Sequence, residues 1–396
     1  MKSAVAISYE LEDAVQMAGE LAGAIGEKLI MGENSVGFLF CDADTDGAGV
    51  TRELENLLGI GIAGMTTLAT LDPDGHHEAA AVLIVLSADD CSFKTVVSDS
   101  LSGDEHESKI REAFRKITID EAEPDAKPKL IFTLCPSGMS FSGDVYPNVL
   151  SEESAGVPLM GGVASDDYDY ERARVFLSGN EYKDAMVAVS VWGNAKPSFA
   201  LRHVTSRFAE RIRRVVVAEG NIVYKVGDET FIEYLEGFGL KTDVDDPLLA
   251  FTSYPMMLTR EGNDETPLMR HIQALNHSDG SGVFFGDVPA GTLANICLIG
   301  KDDILTACRE SMNALLDEAA RAEGYEYSAI FCVSCCGRAM ILGSDSGAEG
   351  RILSENLPRN ISLAGMYCLG EICPTSYKDG EASNRFHNCS ITFCMI

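Results

Sequence analysis

The residues best suited to chemistry stand near the end of the chain, in residues 361–396, ISLAGMYCLGEICPTSYKDGEASNRFHNCSITFCMI. Glu371 follows a glycine turn, and His387 and Asn388 precede a closing apolar run. Arg338 lies one segment earlier, in Cys335-Cys336-Gly337-Arg338. A carboxylate and a guanidinium could grip the ammonium and carboxylate of an amino-acid-like molecule, the guanidinium bidentately, while His387 and Asn388 complete the shell. The same two charges could equally form a buried ion pair that fixes the turn. Tyr367 could roof such a pocket or belong to the core of its apolar strand. Gly161-Gly162 could let backbone amides approach a ligand, or let two strands pack closely.

Seven of the twelve cysteines fall in the last sixty-five residues. Cys332 and Cys335 have a zinc-like spacing, but they sit inside the apolar run AIFCVSCC rather than on a knuckle with polar neighbours. With only Cys373 and Cys389 to add, no metal ligand is assigned. A Cys335 or Cys336 thiolate activated by His387 would make the chain an enzyme; binding is favoured, and no catalytic residue is assigned. Haem needs an axial ligand, and His387, His271, His203 and His76-His77 are available without a CxxCH motif. No cofactor is predicted, and haem stays an alternative. Gly59-Ile60-Gly61 with Gly64 imitates a dinucleotide fingerprint, yet it follows a helical pattern and enters a strand, the reverse of what that site requires.

The elements that position these residues recur. Residues 11–30 carry apolar positions at helical spacing, SVGFLFCD reads as a strand, 47–58 as a second helix, and GIGIAGMTTLATLD as a glycine-bearing strand. A turn at Pro73-Asp74-Gly75 leads to the returning strand AAAVLIVLS. The order of helix, strand, helix, glycine-bearing strand and returning strand repeats over 106–193 and again from ILTACRESMNALLDEAARA to the end. Ile62-Ala63-Gly64-Met65-Thr66-Thr67-Leu68 runs parallel to Leu363-Ala364-Gly365-Met366-Tyr367-Cys368-Leu369. Duplicated α/β units forming mixed sheets covered by helices, with two stacked sheets as one arrangement, are therefore expected. Residues 203–300 read differently, as strands joined by turns at Gly220-Asn221 and Gly227-Asp228. A domain boundary is placed there, giving 1–220 and 221–396. Acidic surface connections are expected at 98–108, 120–129 and 259–267.

Composition narrows the partners. The 396 residues carry a formal charge of −30, which argues against nucleic acid and against adsorption to anionic membranes, since both draw affinity from Lys and Arg. No apolar run approaches the ~18 residues of a membrane span. The N-terminus meets acids too early for a secretory leader, so a cytoplasmic location is expected.

The terminal motifs resemble the FIST family, bacterial proteins with a FIST N and a FIST C domain. Cys335-Cys336-Gly337-Arg338, Pro358 to Glu371 leading into Gly370 to Pro374, and His387-Asn388 with Thr392 carry the resemblance. Val157 to Gly162 is similar to the glycine pair of FIST N, and Pro267-Leu268-Met269-Arg270 with Gly291 to the middle of FIST C. Cys389 stands where the family often has Gln, and Ala69, Thr70 and Leu71 replace a Gly-Glu-Ile. The resemblance implies a sensory protein for a small molecule, amino acids among its ligands, with one branch holding haem to sense nitric oxide. Its output is expected to pass through a separate signalling protein. The ligand-binding set it implies is Arg338, Glu371, His387, Asn388, Tyr367, Gly161, Gly162 and Arg270.

Overall fold

A strand buried on both faces reads as a nearly continuous apolar run, and SVGFLFC, six of whose seven residues are buried, is one. Its equivalents LIFTLC and AIFCVSC are buried throughout. Each lies between helices on the outside and a core shared by all three. The computed structural model describes residues 1–120, 126–168, 170–203, 211–259, 267–322 and 324–396. Most of the connections expected at 120–129 and 259–267 lies outside the described residues.

The first unit comprises β1 (Lys2–Ser8), α1 (Ala14–Lys28), β2 (Ser35–Cys41), α2 (Gly47–Leu58) and β3 (Gly61–Thr66). A hairpin, β4 (Thr70–Asp72) and β5 (Gly75–His77), and the returning β6 (Ala81–Ser87) complete it. The second unit repeats the order in β7 (Cys91–Val97), α3 (His106–Thr118), β8 (Leu130–Cys135), α4 (Val145–Glu153) and β9 (Leu159–Val163). Its hairpin is β10 (Val175–Leu177) and β11 (Asn180–Tyr182), and its return is β12 (Val187–Gly193).

The third unit opens with β13 (Ser198–His203) and is then interrupted by an insert. The insert holds β14 (Arg213–Glu219), β15 (Ile222–Val226), β16 (Glu229–Thr230), α5 (Phe231–Glu236) and α6 (Pro247–Phe251). It continues through β17 (Met256–Thr259), β18 (Leu268–Arg270), β19 (Ile272–Asn276), β20 (Ser281–Phe284) and β21 (Leu293–Ile296). The unit resumes with α7 (Lys301–Arg321), β22 (Ala329–Cys335), α8 (Cys336–Leu342), α9 (Ala348–Asn356) and β23 (Ser362–Cys368). It closes with β24 (Glu371–Lys378), β25 (Glu381–His387) and β26 (Ser390–Met395). The division expected at residue 220 falls at the β14–β15 turn, within the insert.

The sheets are mixed and lie under helices. Instead of two stacked sheets the described residues form three of six strands around one core, plus an eight-stranded sheet in the insert. Their orders show a cyclic exchange: β1-β6-β2-β3-β10-β11, β7-β12-β8-β9-β24-β25 and β13-β26-β22-β23-β4-β5. Each unit lends its hairpin to a neighbour, so no unit completes its sheet alone. The opening strands β7 and β13, absent from the repeat as read in sequence, lie at sheet edges where half-exposed residues blur the apolar pattern.

Phe38, Phe132 and Phe331, one from each central strand, meet on the pseudo-threefold axis with ring centroids 4.5 to 5.2 Å apart. One residue further along, the three units share a second device. Gly64, Gly161 and Gly365 face Leu39, Thr133 and Cys332 across the parallel pairs β2–β3, β8–β9 and β22–β23. A Cβ on any of the three would collide with the carbonyl oxygen of that partner, which is why the repeated segment keeps glycine there.

Gly161→Ala is expected to cost more than about 3 kcal/mol or abolish folding, because the clash is with backbone. Gly19→Ala, in α1 with nothing within 4 Å of the new methyl, should gain about 0.5–1 kcal/mol from helix propensity. Denaturant midpoints of the two variants check both signs.

Candidate functional site

The eight residues expected to bind a ligand are all buried, Arg270 and Arg338 among the largest fully buried side chains. The structure divides them among three polar networks. The Arg338–Glu371 ion pair that the sequence allows is not formed. Arg338, on α8, donates from Nη2 to Glu349 Oε1 at 2.6 Å and to the Ile304 carbonyl at 3.0 Å. Glu349 Oε2 accepts from Tyr367 Oη and Ser334 Oγ, each at 3.1 Å. Burial opposes the Arg338 charge, but Glu349 beside it more than offsets this and keeps the guanidinium protonated. Tyr367 therefore orients a carboxylate rather than roofing a pocket, and the ring of His76 meets it edge-on at 5.5 Å. Glu349 was missed in the sequence, although its place on the buried face of α9, with Ile352 and Leu353 three and four residues on, was a readable sign.

Glu371 belongs to a second group. Its Oε2 accepts from the Ser390 amide at 3.0 Å and from Ser390 Oγ at 2.6 Å, with the Cys335 and Cys368 thiols close to the carboxyl. Burial raises its pKa to about 7, against the bonds from Ser390, which favour the charge. The thiols are not activated. Burial pushes Cys335 well up and Cys336 to about 12, and no hydrogen bond joins either to His387 among the described residues. Cys332 and Cys335 do not combine as a metal pair. Cys332 packs in the core beneath α7 and α9, Cys335 against Glu371 and Cys389. Among the described residues no group of three His, Cys, Asp or Glu side chains is arranged to hold a metal.

The third group surrounds His387. Its Nε2 bonds the Cys373 carbonyl at 2.9 Å and its Nδ1 has no partner. The His203 ring lies 5.1 Å away with neither nitrogen in a hydrogen bond. Burial lowers His387 to about 3 and His203 well below the usual range, so both are neutral. Asn388 donates to the His387 carbonyl and accepts, at 3.5 Å, from the His271 amide. Nearby, Arg270 of the insert forks onto Asp144 of the second unit at 3.0 and 3.1 Å, and also donates to the Phe386 and Asp287 carbonyls. Asp144 Oδ2 accepts the Asp287 amide at 2.8 Å. This clamp bolts the insert to the second unit. Gly161 and Gly162 pair with Ile372 and Glu371 in the exchanged hairpin, and their role is close packing.

The open space lies one residue away. A cavity of 490 Å³ sits between the C-terminal end of β8, β9, the base of the β24–β25 hairpin and the insert. Phe141, Tyr146, Tyr170, Phe285 and Phe386 line it, together with Asn221, and no Lys, Arg, Asp or Glu does. Clefts beyond the carboxyl ends of parallel strands are where open α/β sheets bind ligands, and this volume suits a small molecule. The Tyr170 hydroxyl is buried without a partner, and burial holds its pKa at about 12, so it remains a donor. Val163, Leu369 and Phe386 line the cavity, whereas Gly162, Glu371 and His387, one or two residues along, do not. Alternation along strands turns the charged candidates inward while their neighbours face the space. None of His203, His271 and His387 lines any of the four cavities described.

Fold and site together define an α/β protein of three hairpin-exchanging units, with an aromatic cavity closed by an inserted sheet. The chain belongs to the FIST family: the FIST N domain matches residues 35–229 and the FIST C domain residues 229–374. It is 24% identical over 205 residues to the uncharacterized protein MJ1623 of Methanocaldococcus jannaschii, a match spanning 48% of this chain and 37% of that protein. Among solved structures it is similar to cyanuric acid hydrolase from A. caulinodans, with 9% identity, 99% and 98% of the two chains covered, and a TM-score of 0.36. PurLQS from Thermotoga maritima follows with 12% identity, 82% and 73% covered, and a TM-score of 0.21. Likenesses this distant carry no argument about fold or activity.

Glu371 yields a pH signature. A carboxyl whose pKa rises from 4.5 to about 7 on folding adds stability below about pH 4.5 that is lost as pH rises through 7. The stability of the native chain minus that of Glu371→Gln should therefore fall by about 1.4 kcal/mol per pH unit across that window. Paired denaturation curves at pH 5, 6 and 7 check it, and a difference that rises with pH contradicts it.

Proposed function

We propose that this chain is a ligand-sensing protein that takes a small, uncharged, ring-bearing molecule into the 490 Å³ cavity and passes the signal to a separate protein. FIST domains are associated with signal-transduction sensing of small ligands, and the chain carries both of them. The observation that carries the reading is an aromatic wall with no charged side chain in its lining. A ring stacks on such walls, and a charged group would find no partner there among the lining side chains. An amino-acid-like ligand, favoured from the sequence, would find neither counter-charge among the lining side chains, and is the second arm of the test.

The buried residues act here as support. Arg270 and Asp144 fix the insert wall, and Glu371, Ser390 and His387 hold the exchanged hairpin whose Phe386 faces the ligand. Binding is a better description than catalysis, since the thiols near Glu371 are buried and protonated.

Thermal unfolding with benzamide, indole, phenylalanine and leucine tests this reading. Benzamide or indole should raise the midpoint with increasing concentration, and Ser140→Trp, which fills the cavity from its exposed rim, should abolish the response. A rise with the zwitterions alone, or one that survives Ser140→Trp, contradicts the proposal.

A further inference from the structure

The hairpin whose base lines the aromatic cavity has its tip in a different, charged groove. Between β13, α7 and the tip of the β24–β25 hairpin runs an open groove of 880 Å³. Five exposed cations line it, Lys129, Lys196, Arg202, Arg321 and Lys378, against three acids. Across the whole chain 31 Lys and Arg face 61 Asp and Glu, so the local balance is the reverse of the global one. Glu318, one of the three acids, is already paired with Arg321 at 3.5 Å. Lys129 and Lys378 meet no carboxylate within ion-pair range among the described residues.

The groove also has the shape for a chain. Among the described residues β13 is the outermost strand of its sheet, and Ser198 to Arg202 line the groove, so an added strand would lie along that edge. Phe199 and Tyr377, edge to face at 5.4 Å, supply apolar footing. Tyr377 and Lys129 continue into an adjoining groove of 640 Å³, which extends the track. A long polyanion such as nucleic acid would run off this track onto an acidic surface, whereas a short acidic segment stays within it.

We propose that this groove docks an extended acidic segment of a partner protein, paired along β13 and neutralised by Lys129, Lys196, Arg202 and Lys378. As the output surface of the sensor it rests on the cavity reading. The exchanged hairpin spans the two sites, with Phe386 at the ligand end and Tyr377 and Lys378 at the groove end, about 14–17 Å apart along the strands. Occupancy of one end then biases the other through a single rigid element.

Fluorescence anisotropy with a labelled (Glu-Val)4 peptide tests the docking, with (Lys-Val)4 as control. The acidic peptide should bind, weaken on the order of tenfold as salt rises from 50 to 200 mM, and weaken at least about tenfold in the doubly substituted Lys129→Glu/Lys378→Glu chain. Ser140→Trp should leave this binding intact, so failure of the cavity reading is separable from failure of the groove. Equal binding by the charge-reversed chain, or tighter binding of the basic peptide, overturns the proposal. Displacement of the peptide by equimolar pyrophosphate also overturns it, in favour of a small-anion site.

Discussion

The structure depends on the cyclic loan of hairpins. Each six-stranded sheet is finished by two strands from another unit, so the three sheets close together on Phe38, Phe132 and Phe331 or not at all. The glycine beside each phenylalanine's parallel partner lets the strands approach closely enough for the rings to meet. Close packing of this kind tolerates little change in volume. It also explains why the charged residues near the chain's end are buried: β24 pairs with β9 inside the second unit's sheet, and β25, the edge strand beyond it, is covered by α4.

Exchange has a functional consequence. A hairpin rooted in the third unit but paired with β9 of the second carries any displacement from one unit to the other. Two buried polar residues at its base are tied down, Glu371 by Ser390 and His387 by the Cys373 carbonyl, which stiffens it. The insert, interrupting the third unit between β13 and α7, returns over the second and is pinned there by Arg270 and Asp144. The cavity thus has one wall from the repeated body and one from the inserted sheet, the arrangement in which relative movement of two parts can register occupancy.

Much of this was legible in the sequence. The triple order of elements, the boundaries of α2 and α4, and the match of 62–68 with 363–369 follow from apolar periodicity and repeated glycine, both local properties. The hairpin exchange was not legible, because pairing partners distant in sequence leave no local mark. The site was half legible: reasoning from Glu371 and His387 reached strands beside the cavity but not the side chains that line it, since alternation points neighbouring side chains in opposite directions. Of the carboxylates that neutralise Arg338 and Arg270, Glu349 could have been read from the apolar spacing of its helix, whereas Asp144 stands in a loop whose packing only the fold reveals.

The central claim is that the cavity beside β8 takes an uncharged aromatic molecule. Methyl NMR on protein labelled at methionine tests it most directly, because Met139 lines the cavity while Met17 sits on the buried face of α1 in the first unit. Titration with benzamide should move the Met139 methyl signal in a saturable manner and leave Met17 in place. No movement of Met139 with benzamide or indole, alongside a saturable shift with phenylalanine or leucine, would contradict the account.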